Sequence, residues 1–172
     1  PSTRKIGSHT VTALASYDDP RVRDAICALK FERDQRACVL LADMLNDFLI
    51  EHAADEALFG GRVVCVPIPL GKKRLAERGL NQIESVLIAT HAVRSGQVSL
   101  VDALVRTRET KMQSTLPRAE RLSNMRGAFA TAQPIPAGTT ILLIDDVTTT
   151  GATLSEAART LESTGATVQL IA

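Results

Sequence analysis

Residues 141–161 read ILLIDDVTTTGATLSEAARTL: an apolar run, two adjacent carboxylates, a threonine-rich turn and a helical pattern. Like charges side by side at the end of a buried strand repel unless a cation or hydroxyl donors absorb them, so Asp145 and Asp146 point to a ligand. Thr148, Thr149, Thr150, Gly151, Ala152 and Thr153 follow, placing hydroxyls and backbone N–H groups at a helix N-terminus, where an anion is well held. Vicinal hydroxyls or a metal beside a phosphate is the demand this makes, which a ribose 5-phosphate meets. The plainer alternative is a solvated turn whose threonines cap the helix. A P-loop is excluded, because no Gly-Lys-Ser/Thr follows and no GxGxxG is present.

Outward from this stretch the chain alternates between strand and helix patterns. Thr10 to Tyr17 predicts a strand; Asp19 as N-cap and Pro20 at the first helical position predict a helix to about Lys30. A second helix is expected from Gln35 to His52, burying Val39, Leu40, Ala42, Met44, Leu45, Phe48 and Leu49. Gly60 and Gly61 end it, and RVVCVPIPL (62–70) is a buried strand stopped by prolines. A basic loop over 71–80 then leads to a helix over 81–93, whose Asn81 and Gln82 are either caps or ligand contacts. LVDALVR (100–106) suggests a short strand, and the polar residues 107–129 a long loop with a short helix. A strand over 140–147, a helix ending at Gly165 and a last strand over 166–172 complete the pattern. Such alternation predicts an α/β fold, a parallel sheet flanked by helices. Ligands bind such sheets outside the carboxyl ends of the strands, so the loops after Leu70 and Ile144 should share one crevice.

A chain of 172 residues suits a single domain, here with a strand and helices over 1–60 and a core over 61–172. The net charge of +1 gives no global field toward nucleic acid or membrane, and 3% aromatics argues against extensive base stacking. Basic residues concentrate locally at Lys72, Lys73, Arg74 and Arg78 and again between Arg106 and Arg126, which suits a diphosphate or a single-stranded DNA backbone. Cys27, Cys38 and Cys65 form no CxxC pair, so buried thiols in a reducing compartment are expected rather than zinc or disulfides. His9, His52 and His91 lie at no catalytic spacing. No apolar window long enough to span a membrane exists and PSTRKIGSHT has no signal-peptide core, so a cytoplasmic protein without membrane contact is the expectation.

ILLIDDVTTTGAT resembles the phosphoribosyl-pyrophosphate (PRPP) signature of type I phosphoribosyltransferases. VPIPLGKKRLAERGLNQIESVLIA, R-x-R-x-T-x-x-Q-x-x-L at Arg106 to Leu116, R-x-x-N-M-R-G-A-F at Arg121 to Phe129, and YDDPRVRDAICALKFERD are similar to the ComF family of competence-associated phosphoribosyltransferase-like proteins. The similarity runs from about Tyr17 to the end. It implies the type I phosphoribosyltransferase fold with a small N-terminal hood. It also implies that Asp145 and Asp146 take the ribose hydroxyls and help place Mg²⁺, while Val147, Thr148, Thr149, Thr150, Gly151, Ala152 and Thr153 hold the 5-phosphate. Pro69, Leu70, Gly71 and Lys72 match the family's pyrophosphate loop, which often holds a non-proline cis peptide; with Lys73 and Arg74 they are the expected pyrophosphate-binding residues. Arg106, Arg108, Lys111 and Gln113 fall in the mobile loop that would reach the leaving group. Many members carry an N-terminal zinc ribbon of paired CxxC motifs, absent from this sequence. Some purine-salvage members have a third acid where this chain has Thr149, which weakens that assignment. Two functions stand open: Mg²⁺-dependent phosphoribosyl transfer from PRPP to an unknown acceptor, or a non-catalytic module sensing PRPP or a nucleotide, or handling single-stranded DNA in competence. Related transferases often form homodimers, and nothing in the apolar pattern here decides that.

Overall fold

The computed structural model describes residues 1–6, 8–58, 61–110, 116–136 and 138–172. Six strands form the main sheet: β1 (Ser2–Ile6), β2 (His9–Ala13), β3 (Arg62–Pro67), β4 (Ser99–Leu100), β7 (Thr139–Ile144) and β8 (Thr167–Ile171), in the order β1-β2-β8-β7-β3-β4. Only the β1–β2 pair is antiparallel; every other pairing is parallel. A separate antiparallel ribbon pairs β5 (Leu104–Arg106) with β6 (Phe129–Thr131). The helices are α1 (Pro20–Cys27), α2 (Gln35–Leu58), α3 (Lys72–Arg78), α4 (Gln82–Ala89), α5 (His91–Arg94), α6 (Arg118–Met125) and α7 (Ala152–Glu162).

Every residue of β7 is buried, as expected of a central parallel strand covered on both faces. Its side chains alternate: Ile141 and Leu143 pack with α7, α6 and the β5–β6 ribbon, Leu142 and Ile144 with α1, α2, α4 and α5. From β3 the chain moves outward to β4, then returns to lay β7 on the other side of β3 and β8 beyond it. The strand order therefore reverses between β3 and β7, the place where an open parallel sheet leaves a crevice. Pro67 pairs with Ile144, and the Ile68 N–H donates to the Ile144 carbonyl at 2.9 Å, so both strands end level.

Asp19 caps α1 as anticipated, its carboxylate accepting from the Arg21 N–H at 2.9 Å with Pro20 next in line. Other boundaries differ from expectation. The first residues form β1, which the sequence reading did not anticipate, and β2 ends at Ala13 rather than Tyr17. In α2 the buried stripe is Cys38, Ala42, Leu45 and Leu49, spaced three or four apart; Val39, Leu40 and Met44 fall outside it and are exposed. That helix also continues beyond His52 to Leu58. The basic segment expected as a loop is largely helix, α3, closed by Gly79 at φ 77°. The helix expected over 81–93 breaks at Thr90, where ψ is 147°; the Thr90 hydroxyl donates to the Leu87 carbonyl at 2.7 Å. LVDALVR divides between two sheets, and α7 stops at Glu162. Cys27, Cys38 and Cys65 are free, and burial pushes the Cys65 thiol up to about 12. Among the described residues, no helix is long and apolar enough to cross a membrane.

Candidate functional site

A cavity of about 390 Å³ opens at the level ends of β3 and β7, and Asp145 and Asp146 both line it. The Asp145 N–H still belongs to the sheet, donating to the Ile171 carbonyl at 3.1 Å; the Asp146 N–H turns back to Asp145 Oδ1 at 2.9 Å. Burial chiefly, then the negative Asp146, raises the Asp145 carboxyl to about 7, against the opposing pull of the Asp146 N–H, Lys30 and Arg106. Asp146 is held differently: its Oδ2 lies 2.9 Å from Lys30 Nζ, with both side chains mostly shielded from solvent.

Val147, Thr148, Thr149, Gly151, Ala152 and Thr153 continue the wall. Gly151 adopts φ 71°, which favours glycine, and a Cβ there would lie 2.4 Å from two side-chain carbons of Ile6. β1 therefore presses on the back of this turn, and Arg4 Nη1 reaches the Thr149 carbonyl at 3.4 Å. The Thr148 and Thr150 hydroxyls are buried with no hydrogen-bond partner among the described residues. Nor does any backbone N–H of residues 147–152 have a protein acceptor there. Thr150 itself stays off the cavity wall. Buried polar groups are normally satisfied, so the unpartnered hydroxyls and the N–H groups of this turn are free to donate to the oxygens of a ligand.

The other loop meets its assignment only in part. Pro69, Leu70 and Arg74 line the cavity, whereas Gly71, Lys72 and Lys73 do not, because α3 turns the two lysines outward into solvent. No cis peptide occurs among the described residues. The Glu109 carboxylate occupies the space over Gly71, with Oε2 2.6 Å from where a Cβ would stand, and its Oε1 accepts from the Lys73 N–H at 3.3 Å.

Arg106 lines the cavity, stacked 5.6 Å over the Phe129 ring, donating to Thr110 Oγ1 and Met125 Sδ, with its Nε buried and unpartnered. Burial first, then Arg74, lowers its guanidinium pKa. Arg108 is corrected: its Nη2 donates to the Asn124 and Arg126 carbonyls at 2.8 and 2.7 Å, capping the end of α6 instead of facing the cavity. Lys111 and Gln113 lie outside the described residues. Asn81 proves to be a cap, accepting from the Ile83 N–H while its amide ties down the Ile68 carbonyl at 3.0 Å.

Among the cations of the wall, Lys30 escaped the sequence reading of the site, while Arg78 and Arg121 were legible only as members of the two basic clusters. Lys30 arrives on a π-turn over Ala28–Glu32 that ends α1, a local widening often found at functional sites but without a clear sequence signature. Arg78 is braced by Gln82 at 2.8 Å. Arg121 reaches from α6 to the Thr149 hydroxyl at 3.2 Å, and its Nε holds the Leu116 carbonyl at 3.2 Å. Five cations from four elements, Lys30, Arg74, Arg78, Arg106 and Arg121, thus ring a turn that lacks acceptors for its own donors.

A divalent cation fits beside the carboxylate pair. Among the described residues no group of three His, Cys, Asp or Glu side chains surrounds it. Mg²⁺ commonly takes one or two carboxylates and completes its shell with phosphate oxygens and water, which matches a donor set of two.

Comparison with known proteins agrees with this geometry. The sequence profile of the family described as phosphoribosyl transferase domain matches residues 43–172. The competence protein ComFC of Streptococcus pneumoniae is 38% identical over 158 residues, 90% of this chain and 62% of that protein. ComFC of Bacillus subtilis is 34% identical over 155 residues, covering 89% of this chain and 58% of its own length. The DNA utilization protein YhgH of Salmonella typhimurium is 33% identical over 161 residues, 91% of this chain and 69% of that protein. The chain therefore spans somewhat less than two thirds of the length of both ComFC proteins.

Proposed function

The chain belongs to the phosphoribosyl transferase domain family, in its ComF branch, and from that premise and the crevice between β3 and β7 we propose that it binds PRPP and transfers the phosphoribosyl group to an acceptor. The observation that carries this reading is the conjunction, in one crevice, of the paired carboxylates with the buried, unpartnered Thr148 hydroxyl. The turn over 147–153 takes the 5-phosphate, and Asp145 and Asp146 take the ribose hydroxyls.

Transfer breaks the bond between C1 and the diphosphate oxygen, whose electron pair leaves with the diphosphate. A lone pair of the acceptor forms the new bond to C1, and a proton carried by the attacking atom passes to water. Positive charge develops on the ribose ring and negative charge on the leaving group. Pre-set charges lower such a barrier by standing where those charges appear. The carboxylates face the sugar, and Arg74 and Arg106 face the departing anion. Mg²⁺, held through Asp145 and Asp146, would supply further charge neutralisation for the diphosphate.

Calorimetry with PRPP and Mg²⁺, followed by an assay for diphosphate release with a panel of acceptors, tests the proposal. Saturable binding with turnover is expected. Absence of binding overturns it, and binding without turnover leaves the non-catalytic sensing module. A second reading, handling of single-stranded DNA, is favoured by the names of the competence and DNA-utilization relatives and by the outward-facing Lys72 and Lys73. It requires affinity for single strands that falls steeply with salt.

A further inference from the structure

Lys30 is turned inward at the expense of its neighbours. Its side chain is 17% exposed, while Phe31 beside it is left 76% exposed, with Arg78 over its ring at 5.8 Å. Burial alone would choose the reverse, since a phenylalanine gains from leaving water and a lysine loses. The backbone is irregular at the same place. α1 gives way to the π-turn over Ala28–Glu32, and Arg33 closes that turn at φ 55°, the one non-glycine residue with positive φ among the described residues. Both departures from a regular helix are uncommon and persist where the surrounding structure requires them. Here they deliver one ammonium group to Asp146. Lys30 lines the crevice and also a second, mainly apolar cavity of about 590 Å³ that shares the two aspartates, walled by Val22, Ile26, Leu29 and Leu45 and lined as well by Arg4.

The two acids are thereby made unequal. Lys30 Nζ lies 2.9 Å from Asp146 Oδ2, whereas Asp145 makes no ion pair among the described residues and accepts at Oδ1 from the Asp146 N–H. A carboxylate shielded from water needs a partner charge, and a phosphorylated ligand brought beside the pair adds to that demand. At such pairs a divalent ion commonly meets it. We propose that the Lys30 ammonium is a resident cation for Asp146, matching that carboxylate and orienting it toward the ribose, so that the sugar-phosphate end of the ligand binds without a metal ion and Mg²⁺ is left to serve the diphosphate. The inference rests on the phosphoribosyl-transfer reading and makes Lys30 a positioning residue that acts through Asp146.

Calorimetry of the intact chain with ribose 5-phosphate, in metal-free buffer and again with Mg²⁺, tests the proposal. The unaltered chain should bind with affinities within about threefold of each other in the two buffers. Lys30→Gln should weaken binding about tenfold or more in metal-free buffer, because the ligand then meets two unmatched carboxylates, and Mg²⁺ should restore most of the loss. Lys30→Met, of similar length, should behave in the same way and guards against failure of the first variant to fold. A lysine with a merely structural role would give a loss that Mg²⁺ leaves in place. That result, undiminished binding in the variants, or an affinity of the unaltered chain that falls more than about threefold without Mg²⁺ overturns the inference. Binding that ignores Lys30 leaves the phosphoribosyl reading standing. No binding of ribose 5-phosphate by the unaltered chain in either buffer is a different failure, which removes that reading together with the role given to Lys30.

Discussion

The turn after β7 and the cationic ring around it serve one crevice but are made in opposite ways. Asp145 to Thr153 is a single continuous segment, set by the end of a fully buried strand and the start of α7. The ring has no such continuity: Lys30 comes from the π-turn after α1, Arg74 from α3, Arg106 from β5 and Arg121 from α6. The strand end positions the aspartates through its own hydrogen bonds. The ring exists only once four elements have packed, and braces from elsewhere in the chain hold some of its cations, Phe129 under Arg106 and the Leu116 carbonyl beside Arg121. Local geometry therefore fixes where the ligand's phosphate and sugar would sit, and tertiary geometry fixes what charge surrounds them.

The sharpest way to break this contrast is at the continuous segment. Asp145→Asn combined with Asp146→Asn should lower PRPP affinity by about 100-fold or more, since each carboxylate–hydroxyl hydrogen bond is worth about 1.5–3 kcal/mol. Unchanged affinity by calorimetry would show that the turn is not the ligand site. Gly151→Ala should cost about 2–5 kcal/mol of stability in urea unfolding, combining left-handed backbone strain with the clash against Ile6. Adding Ile6→Ala should recover the clash portion but not the strain, which separates the two causes.

At the gathered wall, Arg74→Glu should weaken Mg²⁺-diphosphate binding about tenfold, whereas Lys73→Glu, whose side chain points into solvent, should change it less than about twofold. Equal effects would mean that sequence proximity, not the orientation set by α3, governs recognition. Glu109→Gln should tighten diphosphate binding about threefold, because it removes an anion standing over Gly71. Weaker binding would instead identify Glu109 as a support for that loop. The smallest effect concerns pH. With Asp145 raised from 3.8 to about 7, the native state binds more protons than the unfolded chain between those values, so this group's contribution to stability falls as pH rises through that window. Asp145→Asn should remove that fall, and thermal melts across the window would show a flatter profile than the unaltered chain.

Much of the fold was legible in the residues because it follows from local rules. Four apolar residues in succession, Ile141 to Ile144, announce a buried central strand, and Asp19-Pro20 announces a helix start. Elsewhere the same rules were silent or misleading. Val39, Leu40 and Met44 are as hydrophobic as their buried neighbours, yet the facing surface of the sheet covers only one stripe of α2. Arg106 and Arg108 are two residues apart and chemically identical; one faces the crevice and the other caps α6, because β5 ends at Arg106 and Arg108 lies beyond the β5–β6 pairing, next to the end of α6. Lys30 carries no motif of its own, and only the π-turn swings it to Asp146.

By itself the sequence determined the α/β alternation, the strand that ends in two acids and the threonine-glycine turn beyond it, since each depends on interactions between residues near in the chain. Tertiary structure alone decided which cations enclose that turn, that Glu109 rests over Gly71, and that an apolar cavity adjoins the same carboxylates. Those features depend on contacts between elements far apart in the chain, whose mutual orientation follows from packing and not from the order of the residues.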